Sequence, residues 1–273
     1  MNDLLDKESH FAFGRNWLDY AGKIDEERIL QAMADLQRLN SGKRFDGLTF
    51  LDIGCGSGLH ALAAIRLGAA RVRCVDIDPD SVMATRGTLA RFAPDFPAEV
   101  SEASVFNMTP ESHGRFDVVY SWGVLHHTGD MYRAMEMAAG LVAEKGIFII
   151  ALYRKTPFCG MWRVLKKRYA GAPPETQRRC MRRYLIIYHR VARLAGIDID
   201  AKIAEYGKNR GMDYHNDIHD WLGGYPYESI SPSRCREFFS KRGFSIEYSN
   251  IKKASKSLGV FGSGCDEFTF KRS

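Results

Sequence analysis

Between about residues 48 and 152, short apolar runs alternate with stretches of helical periodicity, and nothing else in the chain restricts its fold so tightly. Segments 48–53, 72–77, 116–121 and 147–152 read as buried strands, and 100–105 as a weaker one. Between them, 60–67, about 79–92 and 131–142 carry helical spacing, with Gly68 closing the first and Asp78-Pro79 opening the second. An aspartate before a proline is a strong helix start: its carboxylate accepts from a free backbone N–H, and proline lacks the donor that would go unused. Strands that are apolar throughout and joined by helices pair in parallel, with helices covering both faces. The expected fold class is therefore α/β, a doubly wound, Rossmann-like, mostly parallel sheet.

The flanks break this rhythm. Residues 1–45 read as a helical arm: Ile29, Leu30, Met33, Leu36 and Leu39 recur at helical spacing, and Asp25-Glu26-Glu27 suits the positive end of that helix. The core is expected over 46–152. The alternation stops at Tyr153, and 153–232 is basic, aromatic and helical, an inserted cap over the sheet. Residues 233–273 return with a helix (232–242) and two strands (244–250, 267–271) that complete it. No run of eighteen apolar residues occurs, so no spanning helix is expected. The N-terminus lacks a basic-then-apolar leader, and six scattered cysteines form no CxxC pair, which together suggest a cytoplasmic protein with reduced thiols.

The stretch Leu51-Asp52-Ile53-Gly54-Cys55-Gly56-Ser57-Gly58 lies where a strand turns into a helix. Glycines there allow a tight turn and close approach of a ligand. The spacing is GxGxG, with Leu59 where a dinucleotide fingerprint has its third glycine. Asp52 would repel a pyrophosphate but would attract a cationic ligand. Asp76, at the end of the next strand, is placed to accept from ribose hydroxyls. Together they indicate a nucleoside site that favours a positively charged, phosphate-free ligand such as S-adenosylmethionine (SAM).

These residues, with ASVF (103–106), FDVVYSWGVLHH (116–127) and GIFIIALY (146–153), resemble the class I SAM-dependent methyltransferases, in particular the quinone-methylase-like branch. The resemblance implies that Gly54, Cys55, Gly56 and Gly58 pass under the methionyl part of SAM, with Asp52 near its ammonium and Asp76 on its ribose. It places Ile77 beside the adenine, Ser104 and Val105 at its edge, and Ser121 and Trp122 on the methionine side. FGRNW (13–17) is similar to a cofactor-covering arm, so Arg15 and Trp17 are expected at the cofactor. Trp162, Lys166 and Tyr169 match the insertion of a bacterial subgroup.

Methyl transfer to a hydroxyl needs alignment, exclusion of water and an acceptor for one proton. His126 and His127 follow the fourth strand, at the sheet edge where such folds bind ligands, and are the first candidates for that proton. His215, in the cap, is the third. His215 and His219 are four apart, but no third ligand accompanies them and no metal is assigned. The Gly223-Gly224-Tyr225-Pro226-Tyr227 run reads as a lid hinge. Net charge is +6, and 151–190 holds eleven Lys or Arg against one acid. That excess is either a solvated helix face or a surface that meets an anion: phosphate, acidic glycan, anionic lipid or RNA. The expected reaction is methylation of an oxygen, less favourably a nitrogen, of a small-molecule, glycan or lipid-linked acceptor with anionic groups. A peripheral membrane contact fits this reading and a stable nucleic-acid partner does not; an RNA methyltransferase and a non-catalytic SAM-binding protein are the alternatives.

Overall fold

The computed structural model describes residues 10–11, 13–201, 203–204, 214–251, 260–262 and 264–273. Its N-terminal arm comprises helices α1 (Gly14–Ala21) and α2 (Glu26–Leu39). α2 starts where the acidic run placed it: Asp25 accepts from the Arg28 N–H at 3.0 Å, filling one of the unpaired donors of the first turn. The alternating core follows as β1 (Thr49–Ile53), α3 (Leu59–Arg66), β2 (Arg71–Asp76), α4 (Pro79–Phe92), β3 (Glu99–Glu102), β4 (Phe116–Trp122), α5 (Met131–Gly140) and β5 (Val142–Tyr153). The cap contributes α6 (Cys159–Ala170), α7 (Pro174–Leu194) and α8 (Tyr214–Gly223), and the chain ends in α9 (Pro232–Ser240), β6 (Phe244–Asn250) and β7 (Cys265–Arg272).

Among the described residues the sheet has seven strands in the order β3-β2-β1-β4-β5-β7-β6. Pairing is parallel except for β7, which runs antiparallel to both β5 and β6. β5 shows why the sheet is held centrally. Phe148 to Leu152 are all fully buried, and their side chains alternate between two apolar layers. Phe148, Ile150 and Leu152 join the layer under α5 and α9, while Ile149 joins the layer under α2 and α3. Burying each large side chain stabilises the fold by about 1.5–3 kcal/mol. β5 begins five residues earlier than the apolar run suggested, because Val142 already pairs with Phe116 before the register shifts.

The cap has a small core of its own: Trp162, Tyr169, Tyr214, Ile218, Leu222 and Tyr227. Within it, Lys166 is fully buried, which the basic run did not foretell. Its ammonium donates to the Trp221 carbonyl and lies 3.8 Å from the centre of the Trp221 ring. Burial holds its pKa well below the usual lysine value. A carbonyl near the end of α8 and three aromatic faces (Tyr153, Trp221, Tyr227) compensate the cation for lost water. Lys166 is therefore a tie between α6 and α8, not part of a basic surface.

Candidate active site

The strand order opens a crevice at the carboxyl ends of β1, β2, β4 and β5, and a cavity of about 930 Å³ fills it. Its floor at one end is the glycine loop. Gly54 has φ +78° and Gly56 φ +54°, a region that costs other residues energy. Space is equally decisive: a Cβ on Gly54 would sit 2.4 Å from Val124, and one on Gly56 3.0 Å from the Trp17 ring. Trp17 thus lies directly on the loop. The arm is pinned beside it, since the Gly14 N–H donates to Asp78 at 3.0 Å.

Asp52 and Asp76 both line this end. Asp52 is 2% exposed, and no hydrogen bond from the described residues reaches its carboxyl. Burial, with the nearby Asp76 charge, pushes its pKa up to about 8. Such a group ionises readily only when a cation arrives. Asp76 is held differently: Gly56 N–H donates to one oxygen at 3.1 Å and Asp78 N–H to the other at 3.0 Å. Burial raises it to about 6 despite those donors, and each oxygen keeps a lone pair for a hydroxyl. Ile77, Ser104, Val105 and Phe106 form the adjoining wall. A buried carboxyl without a donor, a glycine cradle and a donor-held aspartate fit the ammonium, backbone and ribose of SAM in turn.

Asp52, Gly54, Cys55, Gly56, Asp76, Ile77, Ser104, Val105, Trp17 and Trp122 are brought together in this one cavity. Three cofactor candidates are not. Arg15 projects from α1 into a separate cleft beside Tyr169, Arg178 and His219, because on a helix it faces away from Trp17 and Gly14. Gly58 caps α3 in the left-handed region, where a Cβ would meet the Thr85 backbone at 2.9 Å; it packs α3 on α4. Ser121 is fully buried and donates to the Ile53 carbonyl at 3.1 Å, joining β4 to β1, while its neighbours Tyr120 and Trp122 point into the cavity.

The histidines divide similarly. His126 is fully buried and accepts from the Tyr153 N–H at 3.3 Å, so it supports the end of β5 and does not line the cavity. His127 does line it, with Nδ1 2.7 Å from the Pro226 carbonyl, which assigns Nδ1 as the donor. Burial, aided by the Lys166 charge, lowers His127 to about 3. A proton placed there would not stay. His215 is exposed on the flank of α8, and the residues of α8 that line the cavity, Tyr214, Asp217, Ile218, Asp220 and Trp221, do not include it. His219 accepts from or donates to the Tyr169 hydroxyl at 2.7 Å, and no metal-binding group occurs among the described residues. The glycine pair of the expected hinge is packed: side chains on Gly223 and Gly224 would strike the rings of Phe11 and His127.

The residue that pattern reading passed over is Asp220. It lines the cavity from the end of α8, and one carboxyl oxygen accepts from Asn16 Nδ2 at 2.7 Å. The other oxygen is buried and has no partner among the described residues. Burial raises the pKa to about 8, with the Asn16 bond opposing and the Asp217 charge adding. Asn16 and Trp17 come from the arm and Asp220 from the cap, so arm and cap meet over the glycine loop. Around Asp220 the wall is aromatic: Tyr153, Tyr184, Tyr188, Tyr214 and Trp221.

The profile of the methyltransferase-domain family matches residues 24–242. A ubiquinone biosynthesis O-methyltransferase from Caulobacter sp. (strain K31) is 30% identical over 167 residues, which are 56% of this chain and 64% of that protein. The chain thus matches a little under two thirds of the length of that relative. Among solved structures, the magnesium protoporphyrin IX methyltransferase of Synechocystis PCC 6803 with bound S-adenosylhomocysteine superposes with TM-score 0.54 at 15% identity, over 90% of this chain and 84% of that one. A SAM-dependent methyltransferase from Mesorhizobium loti superposes with TM-score 0.51 at 15% identity, over 88% of this chain and 98% of that one. These likenesses extend to the fold.

Proposed function

The chain belongs to the methyltransferase-domain family, with the fold of class I SAM-dependent enzymes, and we propose that it methylates an oxygen of a neutral, ring-bearing small molecule. The observation that carries this reading is one continuous cavity lined both by a cation-seeking carboxyl, Asp52, and by a second buried carboxyl, Asp220, one of whose oxygens has no partner among the described residues. When bound, SAM supplies an electrophilic methyl carbon on a sulfonium. Asp52, the glycine loop and Asp76 would hold it, and Trp17 would close over it.

The acceptor half is aromatic and carries Asp217, Asp220 and Glu267, the last already engaged by Arg38, Trp122 and Asn250. A flat ring with a hydroxyl suits those walls, whereas a phosphate or carboxylate would find no unpaired Lys or Arg among the described lining residues. This revises the anionic acceptor read from the basic segment, for Arg38 is the only Lys or Arg lining the cavity among the described residues, and a carboxylate already pairs it. Asp220 is placed to take the hydroxyl proton. Its pKa near 8 lets it keep that proton, which His127 at about 3 cannot do. The test is transfer of a labelled methyl group from SAM to a panel of small aromatic alcohols, amines and carboxylic acids. Label on hydroxyl acceptors supports the proposal. Transfer confined to amines or acids, or tighter binding of NAD than of SAM, overturns it.

A further inference from the structure

The two long faces of α7 have different chemistry. Met181, Tyr184, Leu185, Tyr188 and Ala192 recur at helical spacing along its inner side, where the first four meet the cap core or the cavity and Ala192 is buried. The outer side repeats at i, i+4, i+7, i+8, i+11 and i+15 as Arg179, Arg183, Ile186, Ile187, Arg190 and Leu194, and all six are exposed. Ile187 is 56% and Leu194 89% exposed, large values for such side chains on a 21-residue helix. No ion pair among the described residues engages Arg179, Arg183 or Arg190.

We propose that this face of α7 docks on an anionic lipid bilayer, with its arginines at the headgroups and Ile186, Ile187 and Leu194 dipping into the acyl boundary. A helix that interleaves cations with bulky apolar groups on one exposed face matches both layers of a membrane surface at once. A polyanion such as RNA would use the arginines but leave the isoleucines and leucine in water. A second copy of the chain, packed face to face on α7, would oppose arginine with arginine. No helix among the described residues is long and apolar enough to cross a membrane, so the contact is lateral. Because Tyr184 and Tyr188 line the cavity from the inner side, docking sets the acceptor end about one helix diameter, ~10 Å, from the lipid.

The test is co-sedimentation of the full chain with phosphatidylcholine vesicles containing about 30% phosphatidylglycerol, against phosphatidylcholine alone. The parent protein should pellet with the anionic vesicles only. The pair Ile187→Ser and Leu194→Ser, at exposed positions that leave circular dichroism and SAM affinity unchanged, should bind about tenfold more weakly. Arg183→Gln with Arg190→Gln should weaken binding comparably at low salt. Absence of binding to the anionic vesicles overturns the proposal, as does parent-like binding by the Ile187/Leu194 pair. So does tighter binding to single-stranded RNA than to the vesicles. A dimer in sedimentation equilibrium that the same serine pair dissolves would assign the face to a second copy instead.

Discussion

If Asp52 answers the ammonium of SAM, binding must release a proton, and the amount follows from the site. With a pKa of about 8, Asp52 is roughly nine-tenths protonated at pH 7 in the empty cavity. A cation against a buried carboxyl pulls that pKa far below 7, so about 0.9 proton should leave per SAM bound. Asp76, at about 6, is already mostly ionised and adds only about 0.1. Ionising Asp52 at pH 7 costs about 1.4 kcal/mol, which is RT ln(1 + 10). Calorimetric titration in buffers of different ionisation enthalpy counts the protons directly. The amine of SAM also titrates near neutrality, so the quantity to read is the difference between the parent protein and Asp52→Asn, both at saturating ligand. That difference should be about 0.9 proton at pH 7 and should shrink toward about 0.1 at pH 9, where Asp52 is already ionised. Asp52→Asn should also bind SAM at least about tenfold more weakly. An Asp52→Asn count equal to the parent's would refute both the raised pKa and the assignment of the ammonium to this carboxyl.

Three further outcomes follow from the same groups. A base must be ionised to act, so kcat/KM should rise with pH and level off above about 8; Asp220→Asn should lose that limb and lower turnover by about 10²–10⁴, while an unchanged profile in that variant would remove Asp220 from the reaction. Without ligand, the urea stability of an Asp52→Asn, Asp220→Asn double variant relative to the parent should rise as pH goes from about 4 to about 8, because folded Asp52 and Asp220 keep protons that the unfolded chain gives up, while the buried histidines, whose lowered pKa values push the absolute profile the other way, are common to both proteins; a difference that does not change with pH would mean water reaches both carboxyls. Lys166→Ala should cost about 2–4 kcal/mol, since it leaves the Trp221 carbonyl unpaired and a hole beneath the rings, and Lys166→Met should cost less; if both variants unfold with the parent, the lysine is not the tie described.

Much of the sheet could be read from residues alone, because β1, β4 and the second half of β5 are buried on both faces and spell that out as apolar runs, whereas the edge strand β3, Glu99–Glu102, has no buried residue and gave only a weak signal. β7 is legible for the same reason, through Phe268 and Phe270, although nothing local states that it runs against its neighbours. The glycine loop and Asp76 were legible because a backbone that must turn with positive φ leaves few residue choices. Residue phase within the helices was the harder quantity. FGRNW marks the arm, but only its angular order separates Trp17, on the glycine loop, from Arg15, in a different cleft. On α8, Tyr214, Asp217, Ile218 and Trp221 fall on one stripe that leaves out His215, but it leaves out Asp220 as well, so the stripe alone does not mark the cavity-lining set. Histidine drew attention as a titrating residue, yet burial lowers the pKa of His127 to about 3 and raises that of Asp220 to about 8.

Net charge is a coarse guide for a related reason. Charge along a chain adds up regardless of direction, whereas a helix sends neighbours to opposite sides. Trp162, Lys166 and Tyr169 recur at i, i+4 and i+7, so the lysine keeps company with two buried aromatics and leaves the surface. Lys167 and Arg168, next to it in sequence, stay in water. The same split on α7 puts Tyr184 and Tyr188 in the cavity and Arg183, Ile187 and Arg190 outside. A basic cap can therefore cover an acidic, aromatic cavity without contradiction. The excess of +6 sums side chains on all sides of the molecule, whereas the cavity is lined by carboxyls and aromatic rings with Arg38 as the one Lys or Arg among the described residues.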